Sequence, residues 1–209
     1  MAAFTNFASN KVLDALNRAQ ALGAPATYYY AMVVANKGMW AAGTVYSIGD
    51  YVVTGSPTNN RLYQATVGGT SGATAPTWPT TEGGTVVDNT VTWQEQTLAM
   101  NAGTIPEATY AGYARVAVTS GLTEFSGTQG AGTTTVSTGS SGQISNNAVI
   151  TFGAPTSSQV GLVVGLARYD ALTGGNAWDY DISTTPVPII NGSTSPVIAI
   201  GSWTFTLVP

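Results

Sequence analysis

The chain contains no histidine and no cysteine among its 209 residues. Imidazole bases, thiolate nucleophiles, disulfides and the usual zinc ligand sets are therefore closed to it. Catalysis would fall to carboxylates, tyrosine, lysine or an oxygen-ligated metal. The ten Asp and Glu residues are sparse. Asp179 and Asp181 flank Tyr180, and residues two apart on a strand share a face. Such a pair suits Ca²⁺ binding or a shared proton; the alternative is a solvated strand end. Asp170, ahead of Thr173-Gly174-Gly175-Asn176, reads as a side chain that bonds its own turn. Gly127 to Gly132 has no lysine and is not a phosphate loop. No spacing marks a hydrolytic pair, so the expectation is a protein that is not an enzyme and needs no cofactor or metal.

Composition narrows the partners. Charged residues make up 8% of the chain, against about 25% in an ordinary soluble domain. Six Lys and Arg against ten acids give a net charge of −4. Six scattered cations make no basic stripe, which excludes nucleic acid. No apolar run reaches the ~18 residues of a membrane span. The first twenty residues lack a basic segment and a continuous apolar run, so no signal peptide is expected. The missing cysteines suit synthesis in a reducing cytoplasm.

The elements that would position these side chains fall into three stretches. Residues 5 to 22 read as a helix. Val12, Leu16 and Ala19, with Leu13 beside them, make an apolar stripe. Thr5 or Ser9 is placed to cap it, and Gly23 followed by Pro25 to stop it. Thr27 to Val34, with the triplet Tyr28-Tyr29-Tyr30, reads as a strand. Residues 38 to 96 hold Trp40, Trp78 and Trp93 and alternate short strands with turns: 44–47, 49–54, 61–67, 86–87 and 90–94. Ser56 to Asn60 reads as a hairpin connection, and 68–72 and 76–79 as irregular loops. Residues 99 to 209 return to alternating patterns at 113–119, 147–152, 160–169, 176–181, 187–190 and 197–208. The run VGLVVGLARY is apolar enough to be buried on both faces. Gly127 to Gly142 reads as an exposed loop, or as an arm ordered by a neighbouring subunit. The predicted fold class is mainly β: a β-sandwich or jelly-roll-like base with one N-terminal helix, plus a small all-β module. The base comprises residues 1–37 and 97–209, and the inserted module residues 38–96.

Several segments carry a resemblance. MAAFTNFASNKVLDALNRAQALGAPATYYYAMV, YAGYARVAVTSGL, GQISNNAVITFGAPT and ARYDALTGGNAWDYDI occur in that order before a terminal alternating strand. In this they resemble a family of tailed-phage virion proteins known as tail-fibre-like proteins. The resemblance covers residues 1 to 35 and about 105 to 209. Residues 38 to 96 depart from it as an insertion. There Trp40, Gly43, Tyr46, Gly49-Asp50, Val52 and Tyr63-Gln64-Ala65 resemble the small carbohydrate-binding modules of chitinases and cellulases.

The first resemblance implies a virion structural protein, made in the bacterial host cytoplasm and mounted on the virion surface. It implies a trimer or other cyclic oligomer docked on major capsid or tail proteins, as a capsid decoration, minor capsid protein or short tail knob. The alternative is a tail fibre or tip that binds a host polysaccharide. A secreted lectin would leave residues 99 to 209 unexplained. Candidate assembly residues are Val12, Leu13, Leu16, Tyr28 and Tyr30. The second resemblance implies a host glycan as a further partner. Flat aromatic rings cover the apolar face of a pyranose while amides bond its hydroxyls. Trp78, between Pro76 and Pro79, leads the candidates, followed by Tyr46, Tyr63 and Asn59. The same loop can equally fold back as a lid over the module core, where Trp40 and Trp93 are expected.

Overall fold

The computed structural model describes residues 3–55 and 57–207. Ser56 of the predicted hairpin connection and Val208 of the last predicted strand lie outside them. The fold is mainly β. Its elements in chain order are β1 (Ala3–Phe4), α1 (Asn6–Asn17), β2 (Thr27–Ala35), β3 (Val45–Tyr46), β4 (Tyr51–Val52), β5 (Tyr63–Val67), β6 (Gly69–Thr70), β7 (Thr85–Asp88) and β8 (Val91–Glu95). They continue with α2 (Thr97–Asn101), β9 (Val116–Thr119), β10 (Gln143–Ser145), β11 (Ile150–Thr151), β12 (Leu162–Tyr169), β13 (Ala177–Val187), β14 (Val197–Ile198) and β15 (Thr204–Thr206).

A five-stranded antiparallel sheet, in the order β1-β13-β12-β2-β9, forms the centre. Side chains alternate across it. Tyr30, Met32 and Val34 of β2 enter one core with Phe152, Trp203 and Phe205. Ala31, Val33 and Ala35 enter a second core with Met100, Val164 and Tyr180. Burial on both faces explains why β2 and β12 read as unbroken apolar runs rather than as alternating ones. The ribbons β10–β15 and β11–β14 form a second layer over the first core.

β12 and β13 lose register between Val163 and Gly165, where Val163 faces Val187 but Gly165 faces Ile182. Gly165 fits because a Cβ there would lie 2.0 Å from the carbonyl oxygen of Asp181. Gly165→Ala is expected to cost about 1–3 kcal/mol of stability through the forced backbone shift, measured by urea unfolding.

The helix is shorter than the predicted 5 to 22. Thr5 is its N-cap: Oγ1 accepts from the Ala8 N–H at 3.4 Å and donates to the Ala177 carbonyl at 2.5 Å. The helix ends at Asn17, and Ala19 turns left-handed at φ 53°. Residues 16–24 are all exposed. A short helix without packing is marginal in water, so Gly23 stops nothing. A second helix, α2, corrects the expectation of one. It spans five residues, too few for a periodic pattern, and is held by buried Met100 and by the Thr97 N–H on Glu95 Oε2 at 3.0 Å.

Several strand boundaries differ: of the predicted strand 187–190 only Val187 is strand, as the end of β13, and 147–152 keeps only β11. The predicted strand 197–208 is cut in two by a turn in which Ser202 N–H bonds the Ala199 carbonyl and Gly201 takes φ 73°. Gly69–Thr70, expected as loop, pairs with β3. Gly127 to Gly142 is an exposed loop bound to itself: Gln129 Nε2 donates to the Val136 carbonyl at 2.7 Å, and Ser141 Oγ to the Thr128 carbonyl at 2.7 Å.

Within residues 38 to 96, β3 pairs with β6, and β4-β5-β8-β7 form a four-stranded sheet. Tyr46, Val52, Tyr63, Ala65, Val91 and Trp93 close a separate core between them. Val53 and Leu62, at one border of this region, join the second core of the central sheet. Thr58 reaches across to β13, with N–H on the Thr184 carbonyl at 3.0 Å and Oγ1 on the Ser183 carbonyl at 2.8 Å.

Candidate functional site

The candidate sugar contacts are drawn inward. A region this small buries its large aromatics or has little core. Tyr63 is fully buried, and its hydroxyl donates to the Pro79 carbonyl at 2.9 Å and accepts from Asn59 Nδ2 at 2.7 Å. Tyr46 is buried edge-on to Trp93 and accepts from the Ala41 N–H at 2.9 Å. Burial holds both phenols above the ordinary tyrosine pKa. Trp93 is buried and Trp40 half-buried, and both indoles donate to Asp88 Oδ2, at 3.1 and 2.8 Å.

Trp78 lies half-buried over Tyr63 and Trp93, with ring centroids at 4.5 and 5.9 Å. It closes the core as a lid. Asn59 is exposed but spends its amide on Tyr63. The four candidates therefore gather around one buried aromatic cluster and form no open stacking platform. Trp78→Ala should cost about 2 kcal/mol, less than the ~3–5 of a fully buried ring. A melting temperature matching wild type would put the ring in solvent instead.

The candidate assembly residues separate. Leu13 and Leu16 stand 57% and 77% exposed on the outer face of α1. Val12 is half-buried. The same helix docks on the sheet through buried Ala8 and through Phe7, edge-on to Trp178 at 5.6 Å. Tyr30 has no exposed surface and offers nothing to a second copy. Tyr28 is half-buried, its ring 4.4 Å from the Arg168 guanidinium.

Asp179 and Asp181 are not a matched pair at a solvated strand end. Asp179 is buried and takes a two-pronged grip from Arg168, with Nε at 2.9 and 3.0 Å and Nη2 at 2.5 Å. The Arg168 guanidinium also faces the Trp203 ring at 4.3 Å. A bulge creates this geometry. Tyr169 faces Ala177 and Arg168 faces Asp179, so Trp178 is the extra residue. Burial pushes the Asp179 carboxyl up, and Arg168 pulls it down less strongly. Asp181 is partly exposed and adds a small repulsion to Asp179.

Two other cations are consumed in the same way. Arg115 binds both oxygens of Glu107 at 2.8–3.1 Å, stacks on Tyr169 at 3.5 Å and ties down the Ala171 and Gly174 carbonyls. Arg61 pairs with buried Glu95 at 2.9 Å. Asp170 does bond its own turn, holding Asn176 through N at 2.7 Å and Nδ2 at 2.9 Å. These pairs were absent from the sequence reading. Their one signal was a lone Arg in the apolar run LVVGLARY and the Asp179 and Asp181 of the neighbouring strand. Among the described residues no group of three Asp or Glu side chains gathers where a metal ion could be held. The ion pairs cement strands and turns; their carboxylates point at cations rather than at a cleft.

A sequence model of one protein family, described as Podophage GP4 fiber I protein gp80, matches residues 96–206, just over half of the chain. The match begins at the border of the four-stranded sheet and takes in α2 and β9 to β15. No curated protein matches the chain.

Proposed function

Since the chain belongs to the podophage GP4 fiber I protein gp80 family, we propose that it is a non-enzymatic structural part of a phage fibre, carried on the virion surface as a symmetric oligomer. The family match over residues 96–206 carries this reading. It favours the fibre over the capsid shell, where a decoration protein would sit. The side-chain chemistry agrees with a structural role, because Arg61, Arg115 and Arg168 each spend their charge on holding strands and turns together.

Within this reading, residues 1–37 and 97–209 are the docking base and residues 38–96 a displayed unit. The unit's strands find all their sheet partners inside it, which supports the division. With Tyr46 and Tyr63 committed to its core, Trp78 and Asn59 are the two of the four candidates that keep exposed surface for a glycan. We therefore read it as a displayed structural unit before a receptor-binding one.

Antibodies raised against the purified chain test the placement on phage particles in negative stain. Label along the fibres is the expected result. Label spread over the capsid shell would return the protein to a decoration role.

A further inference from the structure

The charges of this chain are unevenly placed. Residues 120–162 and 183–207 contain a single charged residue, Glu124, although 8% of the whole chain is charged. These segments build the second layer, with the ribbons β10–β15 and β11–β14. The two segments also carry nine of the large apolar side chains that stand exposed among the described residues, Val187 at the end of β13 among them. On the β11–β14 ribbon, Ile150 faces Ile198 toward the core. Alternation turns Thr151 and Val197 outward, and both are exposed, as are Val149 and Ile200 at the ribbon ends. Beside it runs a largely apolar groove of about 440 Å³ whose lining includes Met32, Val163, Val187 and Ile198.

We propose that the outer face of this layer, centred on Val149, Thr151, Val197 and Ile200, is where copies of this chain pack against one another. The inference deepens the symmetric-oligomer part of the reading above and rests on it. Three features select a second copy as the occupant. A charged partner finds nothing to pair with on a face that is nearly free of charge. A surface meeting its own equivalent meets its own charges, and this one brings almost none to repel. Depletion of charge with exposed aliphatics is also the composition of the interface cores of permanent assemblies.

Native mass spectrometry and sedimentation of the full chain test this. Val197→Glu and Thr151→Glu each place a carboxylate on the face. Each is expected to weaken association by more than about tenfold while leaving the melting curve near wild type. Leu16→Glu, on the exposed face of α1, should leave the oligomer intact. Val197→Glu and Thr151→Glu proteins that keep the wild-type mass, or dissociation by Leu16→Glu alone, would overturn the inference. Should Val197→Glu lose its near-ultraviolet circular dichroism, Thr151→Glu decides, because it exchanges one polar residue for another at an exposed position. A wild-type chain that stays monomeric at every concentration would also overturn it. That outcome leaves the fibre placement standing or falling on particle labelling alone.

Discussion

Asp179→Leu should lower the unfolding free energy by about 3–5 kcal/mol, because it leaves the Arg168 guanidinium buried and unpaired. At about 2–4 °C per kcal/mol for a chain of this size, the melting temperature falls by roughly 6–20 °C. The geometry behind this is specific. Arg168 and Asp179 are 94% and 99% buried, and aromatic rings rather than water surround the guanidinium. The double variant Arg168→Met, Asp179→Leu should recover most of the loss, since a buried pair replaced by apolar groups of similar volume is often neutral. Urea unfolding of the two variants beside the wild type measures this. A single variant as stable as wild type would mean that water reaches the pair.

The second large effect is at alkaline pH. Nine of the ten tyrosines are held above their ordinary pKa, in each case mainly by burial. Tyr180 is pushed up to about 12. A group whose folded pKa is raised keeps its proton in the fold after the unfolded chain has released it. Its contribution is complete below the unfolded value near 10 and is lost as pH rises above it. Each such tyrosine removes at most about 1.4 kcal/mol per pH unit. Several acting together should unfold the protein abruptly above pH 10. Tyrosinate absorbance near 295 nm, followed with circular dichroism, should rise in step with unfolding. Gradual ionisation of most tyrosines in a folded protein would contradict the buried placement.

The sequence was most informative where one physical rule governed. VGLVVGLARY announced a strand buried on both faces, because no alternation means no wet side. Thr5 and Ser9 both offered a helix start, because either side chain can bond a free N–H, and Thr5 takes the place. It was least informative where tertiary contacts overrode local preference. Ala19 to Leu22 have good helical composition but nothing to pack on, so α1 stops at Asn17. Met100 anchors a helix too short to show a period.

The candidate site was legible as a set of residues and not as a geometry. Trp78, Tyr46, Tyr63 and Asn59 do gather, but around a core. Aromatic spacing alone does not distinguish a ring that meets a sugar from one that meets another ring. The Arg168–Asp179 pair was hidden for a related reason: the partners belong to strands joined by a turn and are brought opposite each other by a bulge at Trp178, which no residue type signals. Asp170 and its turn were readable because that bonding is local.

As a fibre part, this chain is carried in far fewer copies than the shell protein. The direct measurement is its copy number in purified particles, by quantitative mass spectrometry against the major capsid protein. A small fraction of the capsid protein's copy number is the predicted result. A ratio near one to one would make the chain a shell decoration, and its absence from particles would contradict the account altogether.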